Sequence, residues 1–190
     1  MTDAWELLAG SLVFAWVLMQ VPGLRRQFWV CHVAGVLAVA ATALLGWSFG
    51  GVWIATFEPF GVLLPGVCLA SCLQRAGYWA YPPITRVEKL AGTALILILV
   101  LGSLDLLSFV PYTWFYAGWP PAVLACALAI WAVVRGQMHV LICVALAQVF
   151  WLLDVGSSNF VDQVSHLLLG CGMFVSALKF RLPFGRLTGR

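Results

Sequence analysis

Apolar runs of near-uniform length, separated by short clusters of proline, glycine and charge, occupy the chain from one end to the other. They cover 5–21, 28–49, 52–73, 90–110, 117–134, 138–155 and 159–179. Each approaches the roughly 20 residues that an α-helix needs to cross the hydrocarbon of a bilayer. The pattern predicts an all-α integral membrane protein, one domain over 1–190, built as a bundle of seven transmembrane helices. Asp3 and Glu6 stand where a signal peptide carries basic residues, and no small-residue cleavage site follows, so the first run is expected to remain in the mature chain.

The interruptions between the runs have local causes. Pro22-Gly23, Gly50-Gly51, Arg135-Gly136 and Gly156-Ser157-Ser158 are turn signals, and 74–89 is the longest polar connection, with Pro82-Pro83 at its centre. Glu58-Pro59 and Pro65 fall inside the third run and predict a kinked or partly unwound helix there, because proline removes a backbone donor. In the second run Ala34, Ala38, Thr42 and Gly46 recur at steps of four, a stripe of small residues expected to face another helix. The link 111–121 is almost wholly aromatic and proline, a composition suited to the membrane–water interface.

Charge then orients the helices. With the N-terminus outside, all 10 lysines and arginines fall on one side: Arg25, Arg26, Arg75, Arg86, Lys89, Arg135, Lys179, Arg181, Arg186 and Arg190. Basic residues collect on the cytoplasmic side of membrane proteins, so this pattern predicts a cytoplasmic C-terminus and fixes the count at seven. Composition agrees, being 63% hydrophobic and 9% charged with a mean hydropathy of +1.01. The formal charge of +3 is dispersed among short loops and gives no reason to expect nucleic-acid binding. The six cysteines lie in apolar runs without a C-x-x-C pair and read as buried thiols.

Candidate chemistry gathers on the other side. Asp3, Glu6, Glu58, Asp105, Asp154 and Asp162 lie toward the outer half, and only Glu88 lies inside. Asp105 and Asp154 stand near the C-terminal ends of their helices, where the helix dipole disfavours an anion, so each calls for a cation, water or a proton. His166 is the ionisable partner within reach, about 10 Å into the seventh helix at about 1.5 Å per residue. Its i,i+4 spacing from Asp162 predicts one shared face. The candidate catalytic set is therefore His166, Asp162, Asp154, Asp105 and Glu58, with His166 as proton acceptor or metal ligand.

A structural alternative accompanies this set, since Asn159 is a good N-cap and Asp162 suits a helix's first turn. His32 and His139 read as interfacial residues near the inner helix ends. The segment from Asp162 to Leu167 is similar to the aspartate-x-x-x-histidine stretch of VanZ-like membrane proteins. A late histidine on a helix with Gly170 and Gly172 is loosely similar to rhomboid-type proteases, without their G-x-S-G nucleophile motif. No cofactor is specified, and the expected partners are the lipid bilayer and other membrane subunits. Three functions fit, in this order: a non-catalytic subunit or assembly factor of a membrane complex, a membrane-embedded enzyme acting on an outer-leaflet lipid, or a small proton-coupled transporter. A bacterial inner (plasma) membrane is the expected location.

Overall fold

The computed structural model describes residues 2–24, 26–44, 61–103, 106, 111–155 and 157–178. These residues form helices and connections, with no strand among them. We label the α-helices α1 (Thr2–Leu18), α2 (Phe28–Leu44), α3 (Leu63–Ala76), α4 (Arg86–Ser103), α5 (Trp119–Val134), α6 (Met138–Leu152), α7 (Phe160–Val164) and α8 (Leu167–Leu178). Among the described residues one helical path, Phe160–Leu178, is both long and apolar enough to cross a membrane, and it runs through α7 and α8. Helices α1, α2, α3, α5 and α6 are apolar but have at most 17 residues in the described chain.

Chain reversals follow the expected glycine chemistry at two helix ends. Gly77 takes a left-handed conformation (φ +84°) after α3, and the Tyr78 amide donates back to the Leu73 carbonyl at 2.9 Å. Gly136 (φ +66°) does the same after α5, where the Gln137 amide donates to the Ala132 carbonyl at 2.7 Å. Glycine adopts this conformation without steric penalty, and the paired hydrogen bonds satisfy carbonyls that a helix end leaves open. The polar connection is shorter than the sequence pattern predicts. Helix α3 continues to Ala76 and α4 begins at Arg86, where Thr85 and Glu88 form a reciprocal capping box. Pro65 lies in the first turn of α3, where a missing amide hydrogen removes no helical bond. The earlier part of the expected third helix, including Glu58-Pro59, lies outside the described residues.

Helix α1 packs against α2 and α3, α6 against α3 and α5, α7 against α6 and α3, and α4 against α8. The α1–α2 contact is close because Gly35 has no side chain, and a Cβ there would lie 2.6 Å from the Ser11 carbonyl oxygen. Cys31, Gly35 and Val39 form the buried stripe of α2, while Ala34 and Ala38 are half-buried beside it. The contact face is therefore rotated by one residue from the predicted small-residue stripe. The Thr42 side chain and Gly46 lie outside the described residues.

Polar contacts join the helix ends into two groups. At one end, Arg75 donates to the Met19 carbonyl and to Gln20 Oε1 at 3.1 and 2.8 Å, tying α3 to α1. Loop 77–85 joins the same end, because Gln74 donates to the Tyr81 carbonyl and Gln137 to the Pro82 carbonyl. Glu88 completes it by pairing with Arg135 at 2.6 Å, so the start of α4 meets the end of α5. At the opposite end Trp5 packs edge-on against Phe150, and the Val62 amide donates to the Gln163 carbonyl. The main hydrophobic core lies between them, where Val62, Ala125, Val140, Val144, Ala147 and Phe160 interlock.

Outside that core, large apolar side chains are exposed along α1, α2, α4, α5, α6 and α8. Phe14, Leu37, Leu97, Ile130, Leu146 and Phe174 are examples from six different helices. Monomers that face water rarely present apolar surface on this scale.

Candidate functional site

The end that carries Trp5 and Gln163 also holds the buried polar side chains Glu6, Asn159, Asp162, Gln163 and His166. Their placement follows from an interruption of the predicted seventh helix. Asn159 begins α7 as its N-cap, with Oδ1 accepting from the Val161 amide at 2.9 Å. After Val164 the backbone turns extended at Ser165 (φ −125°, ψ 150°), and α8 begins at Leu167. Serine side chains compete with helical hydrogen bonding, and here neighbouring groups replace the bonds that a continuous helix would make.

Each displaced bond can be followed. In an unbroken helix the Gln163 carbonyl would accept from Leu167, and instead it accepts from the Val62 amide at 2.9 Å. The Leu168 amide would donate to Val164, and instead it donates to His166 Nδ1 at 3.1 Å. His166 thus serves as an N-cap of α8, with an unprotonated Nδ1. Gly61 lets the start of α3 reach this point, since a Cβ on it would collide with the Asp162 carbonyl oxygen.

The side chains around the break are similarly engaged. The Ser157 hydroxyl donates to the Asp162 carboxylate through a short hydrogen bond and accepts from the Asn159 amide at 3.1 Å. Gln163 Nε2 donates to the Val155 and Ser157 carbonyls at 2.8 and 3.2 Å, closing the loop between α6 and α7. Buried polar groups require such partners, because an unpaired one costs about 1–3 kcal/mol.

The predicted set is divided by this arrangement. Asp162 and His166 are brought to the same interrupted helix, though not through i,i+4 spacing on a continuous face, since Ser165 breaks the spiral between them. Asp154 is exposed in the turn after α6, with φ +49°. Glu58 and Asp105 lie outside the described residues. Among the described residues, no three His, Cys, Asp or Glu side chains are grouped to hold a metal ion. Gln163 and Ser157 were not singled out from the sequence, because neither amides nor hydroxyls depart from loop composition. Their role depends on the helix break, which no proline or glycine marks.

The opposite end holds a second polar group. His139, in the first turn of α6, is buried, with its ring 4.3 Å from that of Tyr81 and 6.0 Å from that of Trp79. Burial also pushes the Tyr81 phenol above its ordinary value. His32 is half-buried and stacks on Phe28. The Glu88 carboxyl is held well down, at about 2, first by hydrogen bonds from the Thr85 side chain and backbone, then by Trp131 and the Arg135 charge.

No protein-family model matches the chain, and no curated protein or solved structure matches it.

Proposed function

We propose that the chain is a seven-span protein of a bacterial inner membrane, with its N-terminus outside, that acts as a non-catalytic subunit or assembly factor of a membrane complex. The observation that carries this reading is the distribution of exposure. Large apolar side chains point outward along α1, α2, α4, α5, α6 and α8, whereas Asp162, Gln163 and His166 are buried and each makes a local hydrogen bond. In lipid an apolar exterior is solvated, and helix spans shorter than the hydrocarbon are met by bilayer thinning or by flanking residues. The test is purification of the full chain from membranes in mild detergent. Retention of a defined membrane partner in fixed stoichiometry is the expected result, and a chain that runs alone and turns over or moves a lipid would overturn it.

One observation favours a second reading, an outward-facing enzyme or proton-coupled carrier. Ionisable residues within a membrane segment are rare and commonly functional, and interrupted helices form the binding sites of many carriers. Glu6, Asp162 and His166 are buried at the end where α7 gives way to α8. Under this reading His166→Asn abolishes activity while leaving abundance unchanged.

A further inference from the structure

Helix α4 is covered along one side. Ile96 and Leu99 are buried, Gly92 stands against Met173 and Ile96 against Gly170, so the covered side is the one that meets α8. Elsewhere around α4 large side chains are open, with Leu95 44%, Leu97 49% and Ile98 45% exposed. Helix α8 packs along α4 in return, and its Phe174, Val175 and Leu178 are exposed. Glu88, Leu95 and Gly102 are seven residues apart and share the flank of α4 that turns toward α5. Glu88 pairs with Arg135 at 2.6 Å and accepts from Trp131 at 3.2 Å, and Gly102 in the last turn is buried, but Leu95 between them is open. Helix α4 is thus held to the rest of the bundle near its two ends.

The two attachments differ in kind. At the acid end α4 packs on the 3-10 turn Pro111–Phe115, which packs in turn on α5 and α7, and Leu168 and Leu169 at the start of α8 pack against the core. Ser165 is extended there, so α8 can change direction without breaking a helical hydrogen bond. At the basic end the crossing from α4 to α5 is made by the Glu88 carboxylate, and both side chains of the ion pair reach solvent. Residues 83–85 tether the start of α4 to Pro82, whose carbonyl is fixed by Gln137, and three residues span at most about 10 Å. We propose that α4 and α8 move as one unit, pivoting at Ser165 and the 3-10 turn, and open away from α5 at the basic end when the Glu88–Arg135 pair releases. Opening uncovers Trp131. The movement follows from packing alone and goes beyond both functional readings above without depending on either.

The experiment places pairs of nitroxide labels on the full chain in nanodiscs, with the exposed Cys126 and Cys171 replaced by alanine, and reads their separations by double electron–electron resonance. Labels at Ala91→Cys on α4 and Ile130→Cys on α5, both exposed positions, should give two populations, the longer displaced by no more than about 10 Å. Its share should rise about threefold in Glu88→Gln and in Arg135→Gln. Raised salt should shift the otherwise unsubstituted chain the same way, so the test does not depend on either variant folding. Labels at Val17→Cys and Ile130→Cys, within the stationary helices, and at Ala91→Cys and Val175→Cys, within the moving pair, should each keep one narrow separation. A single narrow α4–α5 population at low and high salt would overturn the proposal. Two populations whose shares ignore Glu88→Gln would overturn the catch, and broadening between Ala91 and Val175 would overturn the joint movement of α4 and α8.

Discussion

Single residues decide two features of this molecule for opposite reasons, one by having no side chain and the other by having a charged one. Gly61 brings the start of α3 against the Asp162 carbonyl, and backbone atoms on both sides leave no flexible group to yield. Gly61→Ala is therefore expected to destabilise the bundle by about 1–3 kcal/mol, the usual range for overpacking. Gly172→Ala, inside α8 where an added Cβ meets nothing within 4 Å, should be neutral or stabilise by up to about 1 kcal/mol through the better helix propensity of alanine. Unfolding in a denaturing detergent, followed by circular dichroism, measures both, and equal tolerance would contradict the close approach. Glu88 is the charged case. Its carboxyl is lowered from an ordinary 4.5 to about 2, so the stability it contributes is fully present above 4.5 and is lost as pH falls toward about 2. Wild type should exceed Glu88→Gln in stability at neutral pH, and the difference should close on acidification through that window. A gap independent of pH would show that the carboxylate is not what joins α4 to α5.

At the scale of elements, the interrupted seventh helix separates a capping role for His166 from a chemical one. His166→Ala removes the acceptor for the Leu168 amide and should cost about 1 kcal/mol, visible as lower abundance and easier unfolding. His166→Asn offers an amide oxygen at the same position and should recover most of that loss. If Asn does not outperform Ala in an unfolding assay, the cap is not the role of this side chain. The apolar runs, the turn at Gly136 and the cap at Asn159 were legible in the sequence because each depends on residues close in the chain. The break at Ser165 was not, because its stability comes from Val62, a hundred residues away, whose amide takes over the Gln163 carbonyl. The face of α2 was misplaced for a similar reason. Small residues at 34 and 38 look like a contact stripe, but the position of Ser11 on α1 makes Gly35 the point of closest approach. Gly35→Leu should consequently impair folding far more than Ala40→Leu, whose position is exposed, and comparable membrane yields of the two would refute that assignment.

For the whole molecule, orientation and chemistry are linked through the two ends of the bundle. Arg75, loop 77–85 and the Glu88–Arg135 pair tie together the ends of α1, α3 and α5 and the starts of α4 and α6, and every described basic residue lies at that end. The buried acids Glu6 and Asp162 lie at the other, beside the break before α8. Such alternation of helix ends is what successive crossings produce, and the antiparallel contact of α8 with α4, in which Gly170 meets Ile96 and Met173 meets Gly92, carries the chain back toward the basic end. Basic loops resist translocation, so this end should be cytoplasmic and Trp5 with its neighbours should be outside. A reporter fused after Arg190 is then expected to be active only in a form that works in the cytoplasm, and a cysteine introduced at Ser158, exposed at the acid end, should react with a membrane-impermeant maleimide in intact cells stripped of their outer barrier. A cysteine at Tyr78 should react only after the membrane is opened, because it belongs to the basic end. Labelling at Tyr78 in sealed cells, or an externally active C-terminal reporter, would invert the bundle and place the acid–histidine group on the cytoplasmic side.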